Sequence, residues 1–191
     1  MMKAVALCGS PREGGNTEIL LKKCLSVLEG EGISGQVIRL AEKKIAPCTA
    51  CGKCFKNRDA KCIIDDDFDS VFAEMLAADI IVAGSPVYFG SATPEIMALL
   101  HRAGYVARAN GNLLSRKLGG PIVVARRAGQ NFTFAQLMYW FMINDMVVPG
   151  STYWNVAIGA GIGEVNDDAE GIQTITRFAE NLAWLAKSLR G

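Results

Sequence analysis

The stretch "KAVALCGSPREGGNT", residues 3–17, holds the pattern from which the architecture follows. A short apolar run, residues 4–8, stops abruptly at Gly-Ser-Pro. Beyond Asn16 a new register begins, with Ile19, Leu20, Cys24, Val27 and Leu28 on one helical face. A short apolar run bounded by turn residues reads as a buried strand, and the 3.6-residue period reads as a helix. Asn16 is expected as the helix N-cap, with Glu18 in the first turn and Gly30 past the end. The unit is therefore strand, glycine-rich loop, helix. Glycines let the backbone turn tightly, and a helix start offers free N–H groups and a positive dipole end, so the loop suits a phosphate. Ser10, Asn16 and Thr17 would add hydrogen bonds, and Arg12 a charge. An ordinary polar connection is the alternative. No Gly-Lys-Ser/Thr closes the loop and it is not G-x-G-x-x-G, so neither phosphate motif applies as written.

The same alternation continues along the chain. "GQVIRLA" (35–41) reads as a second strand and "DDDFDSVFAEMLAA" (65–78) as a helix with an acidic start. "DIIVAGSPVYFG" (79–90) reads as a third strand. "TPEIMALLHRAGYV" (93–106) reads as a helix with Thr93 as N-cap and Pro94 at its first position. "GGPIVVARRAG" (119–129) and "YWNVAIG" (153–159) read as the fourth and fifth strands. Between them lies "FTFAQLMYWFMIND" (132–145), a helix that is apolar nearly all round. "EGIQTITRFAENLAWLAKSL" (170–189) closes the chain as an amphipathic helix. Short apolar strands alternating with helices specify an α/β fold, a parallel sheet covered on both faces in three layers. Five strands fit the flavodoxin-like doubly wound order 2-1-3-4-5 better than a six-strand dinucleotide fold. No repeat or linker divides residues 1–191, so one domain is expected, with a four-cysteine loop at 47–64 as its excursion.

Composition narrows the function classes. Half of the 191 residues are apolar, so no staple is needed to build a core. Twenty Lys+Arg balance nineteen Asp+Glu for a net charge of +1, which argues against a nucleic-acid footprint. No apolar stretch is long enough to span a membrane. The N-terminal apolar run is too short for a secretory h-region. The expected location is cytoplasmic, where thiols stay reduced.

In such a fold ligands bind outside the carboxyl ends of the strands. Three loops meet there: "GSPREGGNT" (9–17), "GSPVYFGSAT" (84–93) and "ARRAGQ" (125–130). Backbone amides beside Tyr88 and Phe89 would suit a planar heterocycle, unless both rings merely cover the sheet end. Arg126 and Arg127 could stabilise negative charge on such a ring, or form a solvated pair. "GAGIGE" (159–164) lacks the final glycine of a dinucleotide fingerprint and is expected to be a flexible loop. His101 is the single histidine and has no nucleophile beside it, so chemistry is expected to rest with a cofactor. Cys48, Cys51, Cys54 and Cys62 are spaced C-x2-C-x2-C-x7-C. A disulfide, a zinc knuckle, an iron–sulfur cluster and a dithiol switch all need considering. Three thiols in close succession fit a ferredoxin-type run better than the two separated pairs usual for structural zinc. Cys8 and Cys24 read as buried small hydrophobes.

The segments "GSPREGGNT" and "SPVYFGSATPEIMALLHRAG", with the cysteine loop ending in "CIIDDDF", resemble the NADPH-dependent FMN reductase-like flavoproteins. Within these they resemble the iron–sulfur flavoprotein group, over nearly the whole chain. The resemblance implies FMN, with its phosphate held by Ser10, Arg12, Asn16 and Thr17. It implies Pro86, Val87, Tyr88, Phe89, Gly90 and Ser91 beside the isoalloxazine ring. The loop around Arg126, Arg127 and Gly129 to Gln130 would complete the pocket. It also implies a [4Fe–4S] cluster on Cys48, Cys51, Cys54 and Cys62. The function implied is a flavin-dependent oxidoreductase, with NAD(P)H as a possible donor and a small molecule or protein as electron partner. A homodimer or homotetramer is expected, with FMN at a subunit interface. A reductase of FMN or quinones with purely structural cysteines, a non-enzymatic electron carrier and a zinc-bearing regulatory module are the alternatives.

Overall fold

The computed structural model describes residues 2–189. Its strands are β1 (Lys3–Cys8), β2 (Ser34–Arg39), β3 (Ile80–Pro86), β4 (Leu118–Ala125) and β5 (Val156–Ile158). Its helices are α1 (Asn16–Gly30), α2 (Lys53–Asn57), α3 (Phe68–Ala77), α4 (Pro94–Ala109), α5 (Gln130–Ile143) and α6 (Ala169–Ser188). Every strand pair is parallel and the order is β2-β1-β3-β4-β5, as the strand pattern implied. Successive side chains of a strand point to opposite faces, so each strand feeds two cores. Val5, Leu7, Ile81, Ala83 and Val123 pack with α3, α4 and α5 through Phe72, Leu99 and Phe141. Ala4, Ala6, Cys8, Val82 and Ile122 pack with α1 and α6 through Leu21, Cys24, Phe178 and Leu182. A fully buried Leu, Ile or Phe contributes about 1.5–3 kcal/mol. Two such clusters hold the sheet without a staple, and all six cysteines are free thiols.

The order of the sheet reverses between β1 and β3, and the two following loops are bound together there. The Thr93 hydroxyl donates to the Gly9 carbonyl at 2.7 Å, and the Thr93 N–H donates to Ser85 Oγ at 3.0 Å. A Cβ on Gly9 would lie 2.8 Å from Thr93 Oγ1 and 2.9 Å from Ile96 Cβ, so only glycine allows this approach. Pro94 opens α4 as expected and Thr93 holds the N-cap position, although its side chain serves the neighbouring loop instead of the helix.

Four expectations need correction. Gly30 is the last residue of α1, with Glu31 as its C-cap, and does not lie past the helix end. Gly15, not Asn16, is the N-cap of α1, and Asn16 is its first helical residue. α3 begins at Phe68, not 65, because the acidic run bonds backwards to the chain before the cysteine loop. Asp66 accepts from the Ala46 N–H at 2.9 Å and Asp67 from the Lys44 N–H at 2.7 Å. β5 has three residues, not seven. Tyr153 and Trp154 stay outside it, half exposed, with ring centroids 4.9 Å apart. The buried Asn155 ties this segment to β4 by donating to the Pro121 carbonyl at 3.2 Å.

Candidate functional site

Two concave sites bear on function, one at the carboxyl edge of the sheet and one where the cysteine loop lies against α4. The first is a cavity of about 140 Å³ at the switch point. Ser10, Arg12, Asn16, Thr17, Pro86, Val87, Tyr88 and Arg126 all line it, with Val124, Gly159 and Ala160. The three loops that sequence reasoning assigned to one site therefore meet. The first intrahelical bond of α1 runs from the Ile19 N–H to the Gly15 carbonyl. The N–H groups of Asn16, Thr17 and Glu18 thus have no partner within the helix. They add donors to a site that already holds two arginines.

The remaining residues expected here lie around this cavity and do not line it. Phe89 is fully exposed and sits in the left-handed region at φ 51°. Ser91 Oγ donates to Gln136 Oε1 at 3.1 Å, and that oxygen also accepts from the Ala92 N–H at 2.9 Å, so this turn is anchored on α5. Gly129 has φ 91°, and a Cβ there would lie 2.9 Å from Val87 Cγ1 and 3.3 Å from the Gly90 Cα. Gly129 and Gly90 thus permit the loop after β4 to press on the loop after β3. Arg127 is exposed and is not part of the lining.

Two contributors were missed. Residues 159–164, expected as a flexible loop, form a bonded wall of the cavity. Asn16 Nδ2 donates to the Gly161 carbonyl and Asn16 Oδ1 accepts from the Gly163 N–H, both at 2.8 Å. Arg12 Nη1 donates to the Ala160 carbonyl at 3.2 Å. The Asn16 side chain is therefore spent on the wall. The second contributor is Glu18, which is buried and accepts from the Gly14 N–H at 3.0 Å, bracing the loop from behind. Burial alone would raise its pKa. Lys22, the Gly14 N–H and Arg39 outweigh burial and hold it below the usual carboxylate range.

The second site is built by the cysteine loop. Cys48, Cys51, Cys54 and Cys62 all line one cavity of about 150 Å³, together with Phe55, Ile63, Ile64, Arg102 and Tyr105. The loop contains the short helix α2 and three non-glycine residues with positive φ, Ala50, Arg58 and Ala60, which curl it around this space. Cys48 and Cys51 are exposed, whereas Cys54 and Cys62 are partly buried against the core. The Lys53 N–H lowers the pKa of the exposed Cys51 thiol, and burial raises that of Cys54. Among the described residues no three such side chains converge on one point at metal-binding distance. The donor set, four thiols spread around a cavity, suits a polynuclear group with one ligand per corner. A single tetrahedral ion would need all four sulfurs near one centre.

Beneath the cysteines lies Arg102, almost wholly buried. Its fork bonds Asp66 at 2.6 and 3.0 Å and the Ala46 carbonyl at 3.0 Å, and the guanidinium sits 4.3 Å over the Phe68 ring. Burial alone would raise the Asp66 pKa, but Arg102 and the N–H groups of Ala46 and Phe68 outweigh it and hold the carboxyl below its ordinary range. Sequence reasoning passed over Arg102. The signal was its register, since Leu99, Arg102, Ala103 and Val106 share the buried face of α4 beside an acidic triplet. His101 is exposed on that helix, away from both cavities.

With this geometry described, comparison with known proteins places the chain. The NADPH-dependent FMN reductase family matches residues 2–161. An iron–sulfur flavoprotein of Methanocaldococcus jannaschii is 33% identical over 196 residues, covering 99% of this chain and 100% of that protein. An iron–sulfur flavoprotein of Methanosarcina thermophila is also 33% identical, covering 95% of this chain and 93% of its own. Among solved structures, RosB superposes with a TM-score of 0.80 at 21% identity, covering 100% of this chain and 81% of its own. A flavodoxin, the WrbA-like protein of Agrobacterium tumefaciens, superposes with a TM-score of 0.66 at 14% identity, covering 98% and 99%. The two structural matches establish the fold, and the family match with the whole-length relatives establishes kinship: the chain belongs to the NADPH-dependent FMN reductase family and is a flavin-dependent oxidoreductase.

Proposed function

We propose that this protein is an electron-transferring oxidoreductase that binds FMN at the switch-point cavity and a [4Fe–4S] cluster on Cys48, Cys51, Cys54 and Cys62. One observation carries the reading: all four cysteines line a single cavity, where the loop after β2 lies against α4. The names of the whole-length relatives support it. Ser10, Thr17, Arg12 and the first N–H groups of α1 would hold the phosphate monoester, with Asn16 keeping the 159–163 wall in place. Pro86, Val87 and Tyr88 would flank the ring, with Phe89, Gly90, Ser91 and Gly129 shaping that turn. Arg126 would favour negative charge on the ring. FMN, when bound, supplies one- and two-electron chemistry and the cluster one-electron chemistry. NAD(P)H is the proposed donor, and a small molecule or protein the acceptor. Four free thiols suit a reducing compartment such as the cytoplasm. Among the described residues no helix is long and apolar enough to cross a membrane.

The working unit is proposed to be a homodimer or homotetramer. α5 exposes Phe132, Tyr139, Met142 and Ile143 by more than 60% each. Such a contiguous apolar face is an association surface, and a second copy of this chain is its proposed cover. Anaerobic reconstitution followed by iron, sulfide and flavin analysis tests the cofactor reading. About four irons and one FMN per chain are expected. Stoichiometric zinc without iron would overturn the cluster, and equal affinity for FAD would overturn the monoester site.

A further inference from the structure

We propose that Arg102 is the positioning residue of the cysteine site, fastening both ends of the loop and setting a fixed positive charge against its sulfurs. The inference rests on the cluster reading above. The cysteines run from 48 to 62, and one guanidinium bonds the chain on both sides of them. Nη1 donates to the Ala46 carbonyl at 3.0 Å, before the first cysteine. Nη2 reaches the Ile64 carbonyl at 3.4 Å, after the last, and both nitrogens grip Asp66. A planar fork with five donors can span these acceptors, whereas a lysine ammonium cannot hold them in one plane.

The same side chain lines the cysteine cavity. Its Nε–H is buried and has no hydrogen-bond partner. An unmet buried donor is destabilising, and this one would be met by an acceptor in the cysteine cavity. Cluster-bound thiolate is such an acceptor, and the Cys62 thiol adjoins this guanidinium. The lysines and arginine on the loop itself, Lys53, Lys56, Arg58 and Lys61, are exposed and screened by solvent. Arg102 is buried away from water; Asp66 pairs with its Nη end and offsets part of its charge, leaving Nε–H as the unpaired positive end. Adding an electron to a cluster increases its negative charge, so a buried cation beside a ligating sulfur favours the reduced state. The competing view is an ion pair with Asp66 that serves the core alone.

Replacing Arg102 alone would strand Asp66, so the test compares wild type with Arg102→Lys and with the double variant Arg102→Met/Asp66→Asn, which removes the pair without leaving a buried charge. Amide exchange is measured on metal-free, FMN-loaded protein, and redox titration by electron paramagnetic resonance on protein reconstituted under argon. The double variant should exchange loop amides 47–63 at least tenfold faster while β1 and β3 amides and FMN binding stay as in wild type. Its ratio of reduced to oxidised cluster at fixed potential should fall by between about threefold and tenfold, tenfold being 59 mV for a one-electron couple. Arg102→Lys should keep more of the potential than of the loop protection. Unchanged loop exchange, equal acceleration through the sheet, or a ratio within twofold of wild type would overturn the proposal. A wild type that takes up no iron would defeat the cluster reading instead, and the exchange comparison would still decide whether Arg102 positions the loop.

Discussion

Arg126 and Arg127 are adjacent in sequence and face different surroundings. Both are exposed, but Arg126 lines the switch-point cavity with Arg12 and Arg127 does not. Coulomb attraction falls with distance and solvent screens it further, so the guanidinium at the cavity wall acts on a bound ring more strongly than the one outside it. Arg126→Gln should therefore make flavin reduction less favourable, and Arg127→Gln should leave the flavin midpoint unchanged; spectroelectrochemistry of the two variants checks this. Equal shifts would mean that both side chains reach the flavin. Asn16 carries the companion lesson. A residue expected to cap a helix, and implied to touch phosphate, spends both side-chain groups on the 159–163 segment, 145 and 147 residues away. Its type predicted hydrogen bonding. Its partners depended on which loop the fold brought opposite, and no local rule contains that.

The cysteine loop and α5 are the two elements whose sequences look wrong for ordinary surface structure. Four thiols and three left-handed non-glycine residues in one loop, or a helix apolar on every side, would be costly without a use. Each loop cysteine replaced by Ser should abolish iron binding and leave FMN at one per chain, because the two cavities share no lining residue. Cys8→Ala and Cys24→Ala should spare both cofactors, since both thiols lie in the core beneath α1. Metal and flavin analysis of the six variants checks the division. A cluster surviving loss of Cys51 would break the assignment. For α5, Tyr139 is 68% exposed in the chain alone. Tyr139→Glu should place an unpaired charge in the proposed contact and shift the assembly to a smaller species by analytical ultracentrifugation. An unchanged mass would move the interface elsewhere.

Across the molecule, buried carboxylates set the response to acid. Asp66 and Glu18 both have folded pKa values below their ordinary ones, Asp66 through Arg102 and Glu18 through Lys22 and Arg39, against the pull of burial. The unfolded chain then binds protons at higher pH than the folded one. Their stabilisation is fully present above the unfolded values of about 4 and is lost as pH falls through the folded values. Cys24 acts in the opposite range. Burial pushes its thiol up to about 12. Its contribution is complete below the unfolded value of about 8.5 and declines as pH rises toward the folded one. Urea midpoints should therefore hold level between about pH 5 and 8 and fall on both sides. Asp66→Asn should flatten the acid limb and Cys24→Ala the alkaline limb; identical profiles would assign the transitions to other groups. The sheet order, the helices and the convergence of three loops were legible in the chain, because apolar runs, helical periods and Gly-Ser-Pro breaks are local signals, and a parallel doubly wound sheet puts the loops after β1, β3 and β4 on one edge. The spacing of the cysteines likewise marked them as a set. What only the folded structure decided were the long-range pairings: Asn16 with the 159–163 wall, Arg126 but not Arg127 at the cavity wall, and Arg102 beneath the cysteine loop. Those depend on which side chains meet across distant segments, and hydrogen bonds and ion pairs act over a few ångströms that one-dimensional order does not record.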